Sequence, residues 1–174
     1  MSIDAGIFGD KTSFEHRYIP DHEKLEELVN YWKKLGLRIV LTSGTFDLFH
    51  IGHAQYLEKA KALGDVLIVG VDSDARVKKR KGPSRPIVPE HERVLILAHV
   101  RHADVITLKN VDDESNHLIK LVRPDVLVVS ESTKHGEDEV DEKAQFCGEI
   151  VVLEPQAETS TSAKVRLIQI AKDA

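Results

Sequence analysis

Val66-Leu67-Ile68-Val69-Gly70-Val71 and Val126-Leu127-Val128-Val129 are aliphatic runs with no polar side chain on either face. A strand that is apolar on both sides must be covered on both sides. That is how strands read in a parallel sheet whose crossover helices pack on its two faces. The rest of the chain follows the same rhythm. Strands are predicted at Ile39–Ser43, Val66–Val71, Val105–Leu108, Val126–Ser130 and Ile150–Leu153. Helices are predicted near Gly52–Leu63, Pro89–Val100, Asp113–Leu121 and Ser162–Ala171. Alternating β and α segments imply an α/β domain built on a doubly wound parallel sheet. At 174 residues the chain suits one such domain with a sizeable core. No internal repeat or low-complexity segment divides it.

Residues 1–35 read as an N-terminal extension with one helix, and residues 36–174 as the main domain. Residues 1–19 look irregular. Pro20-Asp21 then opens a helix with Asp21 as its N-cap. Leu25, Leu28, Val29 and Trp32 recur on one helical face, with Trp32 read as a core anchor.

Composition narrows the function. Apolar residues make up 41% and charged residues 30%, as in soluble globular proteins. No apolar run approaches the roughly 20 residues of a membrane helix, and Met1–Gly6 shows no secretory signal. Cys147 is the single cysteine, which suits a reducing cytoplasm and excludes an internal disulfide framework. A net charge of -5 argues against nucleic acid as a partner. Lys78-Lys79-Arg80-Lys81 is a local exception. Just past a strand, it reads as a loop for an anionic ligand rather than a solvated run.

In doubly wound sheets, ligands bind outside the carboxyl ends of the strands, at the switch in strand order. Four segments fall on that edge: Gly44–His53, the stretch after Val71, the stretch after Val129 and the stretch after Leu153. The first carries the most chemistry. Gly44-Thr45-Phe46-Asp47-Leu48-Phe49-His50-Ile51-Gly52-His53 joins a strand to a helix N-terminus. Free backbone N–H groups and the positive end of the helix dipole make such a place receptive to phosphate. His50 and His53 lie three apart, so both rings can reach one spot above the first turn. Together they can stabilise negative charge on a reacting phosphoryl group. Two other readings stand beside this one. With Asp47 the histidines could ligate zinc, although no further ligand follows at local spacing, or they could be an idle surface pair. Gly44 could admit a phosphate or simply make a turn.

The Gly44–His53 run resembles the signature of the cytidylyltransferase-like nucleotidyltransferase superfamily, with its His-x-Gly-His core. Further segments resemble that superfamily in order. They are Gly70–Asp74, Lys78–Ile87 with Lys81-Gly82-Pro83-Ser84-Arg85-Pro86-Ile87, Glu92-Arg93, and Glu158-Thr159-Ser160-Thr161-Ser162. The Lys81–Ile87 stretch is most similar to bacterial heptose 1-phosphate adenylyltransferases, followed by glycerol-3-phosphate cytidylyltransferases. Their shared reaction joins an NTP to a phosphorylated sugar or alcohol and releases pyrophosphate. The acceptor's phosphate oxygen attacks the α-phosphorus directly, so catalysis is positioning and charge stabilisation.

The resemblance implies roles. His50 and His53 would contact the triphosphate and its transition state. Thr45, Phe46 and Gly52 would meet the nucleotide, and Asp47 would orient the acceptor or a metal. Lys81, with Lys78 as alternative, would neutralise phosphate charge from a loop. Arg93 would bind phosphates, set against a helix-surface ion pair with Glu90 or Asp74. Ser160, Thr161 and Ser162 would cap the last helix and hold the β- and γ-phosphates. Mg²⁺ is implied as the companion of a reacting triphosphate, and a homodimer is implied by relatives of this size. The chain also departs from the pattern. Glu158 stands where several relatives have glycine. Ser130–Asp138 matches neither the heptose nor the glycerol-phosphate enzymes. Its Ser132, Thr133, Lys134 and His135 are candidates to line an acceptor pocket. Competing readings are a CTP-dependent enzyme acting on glycerol 3-phosphate, a nucleotide-binding module without turnover, and a fragment resembling class I aminoacyl-tRNA synthetases.

Overall fold

The computed structural model describes residues 14–114, 116–131 and 137–155. Its elements run α1 (Phe14–Arg17), α2 (His22–Lys34), β1 (Ile39–Gly44), α3 (Ile51–Lys61), β2 (Val66–Asp72) and α4 (Asp74–Lys81). Then come α5 (Glu90–Ala98), β3 (Val105–Lys109), α6 (His117–Val122), β4 (Val126–Ser130), α7 (Glu137–Ala144) and β5 (Glu149–Leu153). All strand pairs are parallel, in the order β3-β2-β1-β4-β5. The five expected strands are present, and the order reverses between β1 and β4.

Strand side chains alternate between faces, and two apolar clusters result. Val40, Leu67, Val69, Ile106 and Val128 pack with Leu57 and Ala60 of α3 and Val94 and Leu97 of α5. Ile39, Leu41, Ile68, Val105 and Leu127 pack with Leu25 and Val29 of α2 and Leu118, Ile119 and Val122 of α6. Each fully buried aliphatic side chain contributes about 1.5–3 kcal/mol.

The N-terminal segment shares this core. Asp21 caps α2, accepting from the N–H groups of Glu23 and Lys24 at 3.0 and 3.2 Å. Leu25 and Val29 are 0% and 1% exposed. Trp32 is only half-buried at the margin of the cluster, so these smaller residues anchor the helix in its place. Ile19 N–H donates to the Ile106 carbonyl beside β3. Arg17 donates to the carbonyls of Ala98, Val100 and Ala103, meeting acceptors left at the end of α5. The segment read with one helix holds two among its described residues, the short α1 and α2, and α2 packs into the core of the main domain.

Three local differences matter. The basic run 78–81 is the last turn of helix α4, not a loop. Ser73 caps that helix, its hydroxyl accepting from Arg76 N–H, and Val77 pins it to the core. With a single apolar residue pinned in the core, α4 carries no helical apolar stripe in its sequence. Helix α6 starts at His117, later than expected, because Asn110–Asp113 closes a turn in which Asn110 N–H donates to Asp113 Oδ2 at 2.6 Å. Helix α7, for which no helix is predicted, begins inside Ser130–Asp138, the stretch that departs from the family pattern. The helix expected at Ser162–Ala171 lies outside the described residues. Among the described residues, no helix is long and apolar enough to cross a membrane.

Candidate active site at the carboxyl edge of the sheet

After β1 the chain makes a tight turn. Phe46 and Leu48 take left-handed backbone, at φ 51° and 48°. Non-glycine residues there cost on the order of 1–3 kcal/mol each, so surrounding contacts must hold them. Gly44 owes its identity to packing. A β-carbon there would lie 3.1 Å from the Phe46 ring, closer than most such contacts.

Two buried charges fasten the turn. The Arg93 side chain has 0% exposure. Its Nη1 donates to the Thr45 carbonyl at 2.6 Å and its Nε to the Val88 carbonyl at 2.9 Å. Its Nη2 pairs with Asp74 Oδ1 at 2.7 Å. Arg93 is therefore a positioning residue with its guanidinium committed inside the protein, not a surface phosphate contact. The ion pair with Asp74 forms, but buried rather than on the helix surface. Asp47 is held in the same way. It is 2% exposed and accepts from the N–H groups of Ile87 and Val88. It also pairs with Arg85 Nη2 at 2.8 Å. Asp47 thus clamps the 85–88 segment onto the turn.

The histidine pair stands at the start of α3. His50 is the N-cap, and its Nδ1 accepts from Gly52 N–H at 3.1 Å. With Nδ1 accepting, the ring proton resides on Nε2. The His50 and His53 rings stack with centroids 3.9 Å apart. Phe46 and Phe49 flank His53 at 5.5 and 5.4 Å. The Gly52 amide expected to meet the nucleotide is thus occupied by His50. The N–H groups of His53 and Ala54 donate to the His50 carbonyl. Three early amides of α3 are thus satisfied by His50 itself. One turn on, the Tyr56 hydroxyl bonds Thr42 Oγ1 at 2.7 Å and the Val128 carbonyl at 3.2 Å. That fixes α3 over the β1–β4 seam, and burial pushes the Tyr56 hydroxyl up to about 12.

Sequence reasoning missed a cation cluster around Asp72, the last residue of β2. Asp72 is 2% exposed. Arg80 Nη2 lies 2.7 Å from it, Arg76 Nε 3.4 Å and Lys109 Nζ 3.9 Å. Arg80 also donates to Thr45 Oγ1 at 2.9 Å. A β-carbon at Gly70 would sit 2.6 Å from Leu118 and 3.1 Å from the Lys109 stem, so glycine lets both close over β2. Burial pushes the Lys109 ammonium below its usual range, and Asp72 opposes that while Arg76, Arg80 and Lys143 add to it. Desolvation, with Arg80 and Arg85 beside it, also lowers Lys81 against the pull of Asp72 and Asp47. Five cations thus attend two buried carboxylates at this edge. A charged residue ending an apolar strand at the switch edge was the available signal for Asp72.

Thr45, Phe46, His50, Gly52, His53 and Lys81 therefore share the carboxyl edge with Arg80 and Lys109. Lys78 sits exposed in the last turn of α4. Ser132, Thr133, Lys134, His135, Glu158, Ser160, Thr161 and Ser162 lie outside the described residues.

Fold and edge define a class: a doubly wound α/β protein of nucleotidyltransferase type, with a histidine-bearing turn at its switch point. The chain belongs to the cytidylyltransferase-like family, whose model matches residues 41–172. It is 39% identical over 154 residues to the "Bifunctional protein HldE" of Wolinella succinogenes, covering 87% of this chain and 31% of that protein. To the protein of that name from Helicobacter acinonychis it is 40% identical over 157 residues, covering 88% and 32%. The chain thus spans about a third of the length of these relatives. Among solved structures, the lipopolysaccharide core biosynthesis protein from Thermoplasma volcanium matches at TM-score 0.61 and 29% identity, covering 70% of this chain and 100% of that one. Pantoate-beta-alanine ligase from Francisella tularensis shares the fold at TM-score 0.62 and 16% identity, covering 90% and 77%.

Proposed function

We propose that this protein transfers a nucleoside monophosphate from an NTP, with ATP favoured, to a phosphorylated sugar or polyol such as heptose 1-phosphate. An acceptor phosphate oxygen forms a bond to the α-phosphorus. The bond from that phosphorus to the β-phosphate breaks, and pyrophosphate leaves. The observation that carries this reading is the stacked His50–His53 pair, in which His50 carries its proton on Nε2, on the same sheet edge as the cation cluster. Donors fixed in advance stabilise developing charge without reorganising during the reaction. Lys81, Arg80 and Lys109 offer charge to the triphosphate, while Arg93 and Asp47 hold the turn that presents it.

Mg²⁺ fits this reading only as an ion carried by the nucleotide. Asp47 and Asp72 are both taken by arginines, Asp47 by backbone amides as well. They do not form a protein cage, and Mg²⁺ commonly binds through substrate phosphates and water. The reading also carries Ser132, Thr133 and Lys134 as acceptor contacts, Ser160–Ser162 as triphosphate contacts, a homodimer and a cytoplasmic location.

The test is pyrophosphate release across ATP, CTP, GTP and UTP against a panel of phosphorylated sugars and polyols. Turnover with ATP and a sugar phosphate is expected. Turnover confined to CTP with glycerol 3-phosphate would replace both substrates. NTP binding without turnover on any acceptor would overturn the enzyme reading.

A further inference from the structure

On the face of the sheet away from α3, three side chains converge that the proposed reaction does not use. His22 opens α2, His117 opens α6, and Asp113 sits in the turn between β3 and α6. One ligand atom from each lies within 4.8 Å of the other two, and all three residues are half-buried. We propose that His22, Asp113 and His117 form a binding site for a zinc-type divalent cation, which ties the first turn of α2 to the β3–α6 connection.

The geometry is close to what such an ion needs. His22 Nδ1 and His117 Nε2 are 3.1 Å apart. Two nitrogens at about 2.05 Å from a tetrahedral zinc stand about 3.3 Å apart. The outer contacts are also in place. His22 Nε2 lies 2.9 Å from the Leu108 carbonyl, which can only accept. The proton of that ring is therefore on Nε2, and a lone pair on Nδ1 faces His117. Ligating histidines characteristically give their other N–H to such a carbonyl, which fixes tautomer and ring orientation. In the metal-free arrangement His117 Nε2–H donates to that lone pair. On binding, the His117 proton moves to its own Nδ1 and the cation takes its place between the rings. Asp113 is oriented by the Asn110 N–H on Oδ2, at 2.6 Å. Two imidazoles, one carboxylate and a water complete four-coordination, and imidazole donors favour zinc-like ions over Mg²⁺.

The site has a structural reach. Arg76 donates to the carbonyls of Asn110 and Asp113 at 2.9 and 3.2 Å, and the same residue faces Asp72 in the cation cluster. A cation here would stiffen the connection against which Arg76 is braced.

The test uses the untagged full chain, titrated with Zn²⁺ by calorimetry and with Co²⁺ by absorption spectroscopy. The wild type is expected to bind one Zn²⁺ per chain, to show four-coordinate Co²⁺ bands and to unfold at higher temperature with Zn²⁺. His117→Gln and His22→Ala should each weaken Zn²⁺ binding at least tenfold and abolish the thermal shift. His117→Gln keeps a polar side chain at the site and guards against simple misfolding. Absence of saturable Zn²⁺ binding by the wild type would overturn the site. So would binding that survives in His117→Gln, or binding that is lost only in His50→Ala. Pyrophosphate release plays no part in these readouts, so the proposed transferase activity stands or falls separately.

Discussion

Arg93 Nη1 and the carbonyl oxygen of Thr45 are joined by a 2.6 Å hydrogen bond across 48 residues of chain. The donor sits on α5 and the acceptor in the strained turn after β1. The helix thus holds the turn whose far end positions His50 and His53. One buried guanidinium serves the Thr45 carbonyl, the Val88 carbonyl and Asp74 at once.

Arg93→Ala should therefore act first on stability. It leaves Asp74 without its charged partner and the turn without its fastening. Removing one member of a buried pair costs about 3–5 kcal/mol. Urea unfolding should show that loss, with turnover falling as the turn loosens. A variant of wild-type stability with only a raised Michaelis constant for NTP would restore the direct phosphate contact.

The histidines should separate into two behaviours. His53→Ala should lower turnover by about 3–4 kcal/mol of transition-state stabilisation, with little change in melting temperature. His50→Ala should lose both turnover and a cap worth about 0.5–2 kcal/mol. His50→Asn should restore the cap, because asparagine is a good N-cap, but not the turnover. Paired melting and single-turnover measurements distinguish these outcomes. Equal turnover in His50→Asn and wild type would remove the imidazole from the chemistry.

Lys109 is held below its ordinary value near 10.5, chiefly by burial. Its charged form is disfavoured in the folded state, so the unfolded chain binds more protons between the lowered value and about 10.5. Stability from this group therefore rises with pH through that window. Lys109→Met should melt higher than wild type near neutral pH, and the advantage should vanish above the window. Its affinity for triphosphate should fall. A Lys109→Met that melts lower at neutral pH would show that the ion pair with Asp72 outweighs the burial cost.

Tyr56 gives the opposite sign. Its hydroxyl is pushed from 10.0 to about 12 by burial, the bond to Thr42 opposing. Its neutral form is favoured by the fold, so this contribution is complete below about pH 10 and is lost as pH rises toward 12. A rise of that size corresponds to about 2–3 kcal/mol. Tyr56→Phe should be less sensitive to pH over that range, as read by chemical unfolding at fixed pH steps. Identical alkaline profiles would contradict the burial argument.

Apolar periodicity and local punctuation determined much of this protein. Two-sided aliphatic strands required a covered parallel sheet, and their alternation with helices placed the Gly44–His53 turn at the carboxyl edge. Asp21 and Leu25 marked α2 because a cap and a helical stripe are local signals. Helix α4 left no stripe to read, since Val77 alone anchors it and Ser73 starts it. Its basic residues therefore looked like a loop. Tertiary structure alone decided what each charge does. Arg93 and Asp47 read as substrate contacts because a sequence shows a charge and not its burial. Only long-range packing brings Val88, Thr45 and Asp74 around one guanidinium, or Arg76, Arg80 and Lys109 around Asp72. The same holds for His22 and His117, 95 residues apart, whose 3.1 Å approach no spacing rule contains. Local patterns fix backbone conformation over a few residues. The partner that satisfies a buried charge is set by the sheet order, which brings distant strand ends to one edge.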